Sequence, residues 1–147
     1  MYVEVGFFAR WWDQQPEKKK DIARQLVKNK QLEFINGGWC MHDEASPYYV
    51  EMVDQTTRGH QFLKKNFGDD AIPRGTWQID PFGHSNTEAW LLGAESGFES
   101  LFWGRTDYQD FNARKNKSRT EWIWEGSQSL GKSAALFAGE LYGGGNG

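Results

Sequence analysis

"RGTWQIDPFGHSNTEAWLLGAESGFESLFWGR", residues 74–105, is the stretch on which the fold turns. "RGTWQID" reads as a strand, and the chain then breaks through Pro81 and Gly83, residues common where a strand gives way to a helix. Ser85 and Glu88 have the spacing of a capping box, in which each side chain satisfies a backbone donor at the other's position. Trp90, Leu91 and Ala94 then form the expected inward face of a helix, Gly97 suits a left-handed exit, and "SLFWGR" reads as the next strand. Two strands joined by a helix call for a right-handed crossover and a parallel pairing, the connection that parallel strands need. The class predicted is α/β.

Working outward, "YVEVGFF" near the start reads as a strand of β-branched and aromatic residues. The segment "QQPEKKKDIARQLVKNKQ" predicts a helix with Pro16 at its first position and Glu17 at the positive end of the dipole. Its apolar stripe would be Ile22, Ala23, Leu26 and Val27, with the lysines and Arg24 left to solvent. "LEFINGGW", residues 32–39, predicts a second strand, and "SPYYVEMVDQTTRGHQFLKKNFG" a helix with Ser46 as N-cap and Pro47 behind it. Tyr49, Met52, Val53, Thr56, His60, Leu63 and Phe67 share a face of that helix, where His60 reads as a structural histidine. Strands alternating with helices predict a parallel sheet covered by helices. Past Asp107, "TEWIWEGSQ" and "SAALFAGEL" read as extended segments preceded by a basic loop, "ARKNKSR", and residues 143–147 are a Gly-rich tail.

The bulk properties exclude several roles. A formal charge of -3, from 17 basic and 20 acidic residues among 147, gives no basic field for phosphates, so nucleic acid is not an expected partner. No apolar run approaches the roughly 18 residues of a membrane span, and no zones of a secretory signal follow Met1. Cys40 is the single cysteine, which rules out an intrachain disulfide. The abrupt start and the glycine-rich end suggest one partial domain, 1–147, cut from a longer polypeptide. Eight tryptophans within a 16% aromatic content serve either a core or a surface that stacks on sugars.

In parallel α/β architectures ligands gather outside the carboxyl ends of the strands. Gly37, Gly38 and Trp39, then Asp80, then Arg105 fall at such ends, and one rim would collect them. A carboxylate held there by a guanidinium suits a nucleophile or a metal ligand, although a strand-end Arg also serves as an ordinary ion-pair partner. His84 would shape the turn below Asp80. Cys40, His42 and Asp43 on one loop make poor zinc geometry, and Asp43 and Glu44 are equally explained as caps of the next helix. Asp107 and Asp110 are conceivable acids.

The motifs "FINGGWCMHDEA", "WQIDPFGHS", "LLGAESGF" and "FWGRTDYQD" closely resemble glycoside hydrolase family 38, the class II α-mannosidases, particularly the lysosomal or vacuolar acid type. The resemblance implies an irregular seven-stranded β/α barrel, here incomplete at both ends. It implies retaining hydrolysis of terminal α-linked mannose from oligosaccharides, with Asp80 as nucleophile and zinc contact and Arg105 beside it. Zn2+ would take its other ligands from a first strand before Met1 and from a His after Gly147, where the acid/base Asp would also lie. The partners implied are a mannose-containing oligosaccharide and the remainder of the parent polypeptide, in the lysosome or vacuole or secreted. A non-catalytic carbohydrate-binding or scaffold fragment is the alternative. A polysaccharide deacetylase could share barrel topology, but "IDPFGHS" followed by "GRTDYQD" speaks against it.

Overall fold

The structure is a computed structural model that describes residues 1–46 and 48–141, so the expected positions of Pro47 and the 143–147 tail lie outside the described residues. The chain divides into two compact units, 1–42 with 48–73 and 43–47 with 74–147.

The first unit is helical. Helix α1, Val5–Asp13, takes the second half of the "YVEVGFF" segment that propensity assigns to a strand, and Tyr2 keeps a single bridge. Val5, Phe8, Ala9 and Trp12 are its buried residues, a spacing of three and four that outweighs the β preference of Val and Phe. Its first free donors are satisfied from outside, Val5 N–H by the Gly38 carbonyl at 3.0 Å and Gly6 N–H by the Trp39 carbonyl at 2.9 Å. "LEFINGGW" contributes only a single parallel bridge, Phe34 to Tyr2, in place of the expected strand. Asn36 and Gly37, with φ of 62° and 72°, take the chain into the left-handed region and end the pairing at once.

Helix α2, Glu17–Lys28, has Pro16 as its N-cap and so begins one residue later than expected. Its inward face is also rotated: Ile22 and Leu26 are exposed, Ala23 is buried, and the Lys20 and Arg24 cations lie over the Trp12 ring at 5.7 and 5.1 Å. The Arg24 guanidinium therefore lies over an aromatic ring and does not simply extend into water. Helix α3, Tyr49–Phe67, starts after Tyr48, so Ser46 does not cap it. Met52 and Leu63 are buried on its predicted face, whereas Tyr49 is exposed. His60 Nε2 donates to the Asn36 carbonyl at 2.9 Å, which gives this histidine the structural role expected of it. Phe8 sits at the centre of the unit, with ring contacts to Tyr2, Trp11, Trp12, Phe34, Phe62 and Phe67.

The second unit is a four-stranded sheet with order β1-β2-β4-β3. Strands β1 (Gly75–Gln78), β2 (Ser100–Trp103) and β4 (Ala135–Glu140) run parallel, and β3 (Glu121–Glu125) pairs antiparallel with β4. Residues 74–105 thus form the predicted strand, helix and strand, and "TEWIWEGSQ" and "SAALFAGEL" form strands too. The described residues form this mixed sheet; they do not form a seven-stranded barrel.

Between β1 and β2 runs a π-helix, Glu88–Glu95. Its wider winding turns Glu88, Ala89, Leu92 and Gly93 to the interior, so the expected face of Trp90, Leu91 and Ala94 is only partly buried. Gly97 makes the predicted left-handed exit at φ 87°. Ala89, Leu101, Trp103, Leu136 and Ala138 form the core, with Trp122 and Trp124 packed against it. The basic segment expected as a loop begins inside helix α4, Tyr108–Lys115, whose N-cap Asp107 accepts from Gln109 and Asp110 N–H. That cap is what the loop reading overlooked.

Gly59 of α3 packs directly on the Gly37 and Gly38 backbone, where a Cβ would overlap the Gly37 carbonyl. Gly59→Ala is expected to destabilise the protein by about 2 kcal/mol or more through overpacking, measured as a lower urea midpoint.

Candidate functional site

The parallel register builds the site. Gln78 of β1 lies opposite Trp103 of β2, so the residues two positions on, Asp80 and Arg105, leave the sheet side by side at its carboxyl edge. The ladder extends one bond further, from Gly104 N–H to the Gln78 carbonyl at 2.9 Å. A Cβ at position 104 would stand 2.7 Å from the Ile79 carbonyl, so glycine is what permits so close an approach. Arg105 Nε pairs with Asp80 Oδ1, and the two side chains are 50% and 52% exposed. The Arg105 guanidinium also lies 5.5 Å from the centroid of Phe82, a ring left 77% exposed.

His84 ties this edge together from below. Its Nε2 donates to the Arg105 carbonyl at 2.7 Å, its Nδ1 donates to Glu44 Oε1 at 3.3 Å, and its ring lies 5.0 Å from that of Trp103. Both ring nitrogens face acceptors, which suits the doubly protonated imidazolium. The Glu44 hydrogen bond raises the His84 pKa above its ordinary value, and the Arg105 carbonyl adds to that against the opposing effect of burial. His84 thus shapes the turn as expected, and it does so through two partners distant in sequence.

The capping box does not form in its expected pairing. Ser85 Oγ accepts from Thr87 N–H at 3.1 Å, but the Ser85 N–H donates to Glu44 Oε2 at 2.7 Å, and Glu88 is buried where Gln78 Nε2 donates to it at 3.3 Å. A carboxylate from another loop has taken the place that Glu88 would have filled. Glu44 is the residue holding the candidate site that sequence reasoning missed as such. Nothing local to it marks a partner 41 residues away, and neither it nor Asp43 caps α3, since Asp43 Oδ1 accepts from Ala45 N–H.

The remaining candidates are engaged elsewhere. Asp107 caps α4, and Asp110 pairs with Arg114 at 2.7 Å. Gly37, Gly38 and Trp39 belong to the first unit, where the Arg58 cation stacks 4.1 Å from the Trp39 ring. His42 Nδ1 accepts from Gln55 Nε2 at 3.1 Å, and burial pushes the Cys40 thiol pKa up, away from the thiolate a metal needs. Among the described residues no three His, Cys, Asp or Glu side chains are grouped to hold a metal ion, so Asp80 alone does not make a zinc site. No described helix is long and apolar enough to cross a membrane.

The sequence profile of the glycosyl hydrolases family 38 N-terminal domain matches residues 1–143. The chain belongs to glycosyl hydrolase family 38. Among its relatives is an alpha-mannosidase of Arabidopsis thaliana, 58% identical over 139 residues, 95% of this chain and 13% of that protein. An alpha-mannosidase of Canavalia ensiformis is 51% identical over 138 residues, 94% of this chain and 14% of that protein. The lysosomal alpha-mannosidase of Homo sapiens is 49% identical over 142 residues, 96% of this chain and 14% of that protein. The family 38 chain therefore spans about one seventh of the length of these curated relatives.

Because the His84 pKa is raised in the folded family 38 chain, the tie contributes stability that is fully present below the unfolded value of about 6.5 and is lost as pH rises through the folded value. Glu44→Gln is expected to lower the His84 midpoint, read from its ring NMR signals, and to remove the His84-linked part of the stability that is lost as pH rises.

Proposed function

We propose that the polypeptide carrying this chain is an α-mannosidase that hydrolyses terminal α-linked mannose with retention, and that Asp80 is its nucleophile. The observation that carries this reading is the Asp80–Arg105 pair at the carboxyl edge of two parallel strands, inside the motifs shared with family 38.

The pair suits the chemistry of a retaining glycosidase. Asp80 Oδ1 is held by Arg105 Nε through a charge-assisted contact, which leaves Oδ2 outside that pair to attack an anomeric carbon. Attack forms an ester between Oδ2 and the sugar as the glycosidic bond breaks. The leaving oxygen takes a proton from a second carboxyl group about 5 to 5.5 Å away, and water activated by the same group then hydrolyses the ester. Phe82 offers an exposed apolar face beside the pair for the sugar's C–H surface. The second carboxyl group is not assigned to Asp107 or Asp110, whose carboxylates serve the α4 N-cap and the Arg114 pair. A zinc requirement of the full-length protein, with Asp80 as one ligand, belongs to the same proposal. So does a lysosomal or vacuolar location, in line with the lysosomal relatives of mouse, man and Dictyostelium discoideum. The tryptophans favour a core over a stacking surface, since Trp11 is the exposed one of the eight and Trp12 and Trp103 are buried.

In the full-length protein, Asp80→Asn is expected to lower kcat on an aryl α-mannoside by about 10³-fold or more, with an unchanged thermal melt. Retained turnover would remove the nucleophile assignment. Chelation should abolish the same activity and added Zn2+ should restore it, while the 147-residue chain alone should show no turnover. Turnover that survives exhaustive chelation would contradict the zinc requirement.

A further inference from the structure

Glu140, the last residue of β4, stands opposite Trp103 in the parallel register, and its side chain is 3% exposed. The inward positions before it on β4 are Leu136 and Ala138, so a carboxylate here interrupts an apolar row. Its Oε1 accepts the Thr106 hydroxyl at 2.9 Å, and Thr106 Oγ1 itself accepts the Trp103 indole N–H at 2.9 Å. Among the described residues Oε2 has no hydrogen-bond partner. A buried carboxylate oxygen left unpaired costs stability, so the position is not explained by packing.

The relay has one direction. Because the Trp103 indole only donates, Thr106 receives that proton on its oxygen and sends its own to an acceptor, and Glu140 is that acceptor. This fixes the Thr106 side chain, one residue beyond Arg105. The Arg105–Asp80 pair is half exposed, and ion pairs in that setting contribute little net stability, so the pair does not hold its own geometry. It is held from below, by the Gly104 N–H on Gln78, by His84 on the Arg105 carbonyl, and by Glu140 on Thr106. The charge on Glu140 faces Arg114, whose Nε is 3.8 Å from Oε1, and the His84 ring, whose pKa it helps to raise.

We propose that Glu140 is a positioning residue for Arg105, clamping Thr106 so that residues 104–107 hold the guanidinium against Asp80. The inference rests on the roles given to Asp80 and Arg105 above, and its test separates the two. The variants, made in the full-length protein, are Glu140→Ala, Glu140→Gln, Thr106→Val and Thr106→Ser. Hydrogen exchange at the amides of residues 104–107 reads the clamp whether or not the protein turns over substrate, and should quicken by about tenfold in Glu140→Ala and Thr106→Val. In the same two variants kcat on an aryl α-mannoside should fall by about tenfold or more, while KM stays within about twofold. Glu140→Gln, whose amide oxygen accepts the same hydroxyl, and Thr106→Ser, which keeps it, should return most of both quantities.

Folded Glu140→Ala and Thr106→Val proteins with wild-type exchange would overturn the proposal, and so would faster exchange with unchanged kcat. Should Glu140→Ala fail to fold, the contrast between Thr106→Val and Thr106→Ser gives the same decision. A wild-type protein without α-mannosidase activity would overturn the functional assignment, and the exchange contrast alone would then decide the clamp.

Discussion

The pairing of β1 with β2 is the constraint from which the rest of the site follows. In a parallel ladder the residues just past the last pair leave the sheet in the same direction, and the Gln78 to Trp103 register sets Asp80 next to Arg105. A slip of one residue would turn one of the two side chains toward the opposite face and separate them. Gly104 fixes that register at the point of closest approach, because only a residue without a Cβ fits against the Ile79 carbonyl. The core beneath it, Leu101, Trp103, Leu136 and Ala138 under the π-helix, supplies the apolar burial that keeps the ladder in place.

Around that pair the second unit buries three glutamates, and each is handled differently. Glu44 accepts from the His84 ring and from a backbone donor. Glu88 faces the neutral amide of Gln78, within the strand that ends at the site. Glu140 takes a hydroxyl and sits near a guanidinium at longer range. Buried carboxylates are costly unless charged or hydrogen-bonding partners surround them, so their concentration here marks a place where the fold accepts a cost to hold loops in one conformation. The loops so held are the ones that carry Asp80 and Arg105.

The legible parts of this architecture were those with strong local signals. Residues 74–105 announced a strand, a helix and a strand, Gly97 announced its exit, and the same motifs pointed to family 38. From Val5 on, the β preference of Val and Phe yields to the spacing of Val5, Phe8, Ala9 and Trp12, which places them on one helical face around an aromatic core. The strand expected at 32–39 was cut to a single bridge by left-handed residues that leave no periodic trace. The basic segment "ARKNKSR" shows no helix signal because α4, whose last residues it shares, has no apolar stripe and rests on the Asp107 cap.

The sequence by itself determined the class of fold, the family, and the two side chains of the candidate site, since spacing and residue type are local properties that survive in one dimension. Only the tertiary structure decided which charges meet. Glu44 reaches Ser85 across 41 residues and His84 bonds the Arg105 carbonyl across 21, contacts that depend on how loops are brought together by the sheet. The cap that Ser85 and Glu88 could have made between themselves was therefore replaced. A buried carboxylate from a distant loop binds the same donor and the His84 ring as well, a second partner that the local pairing does not offer.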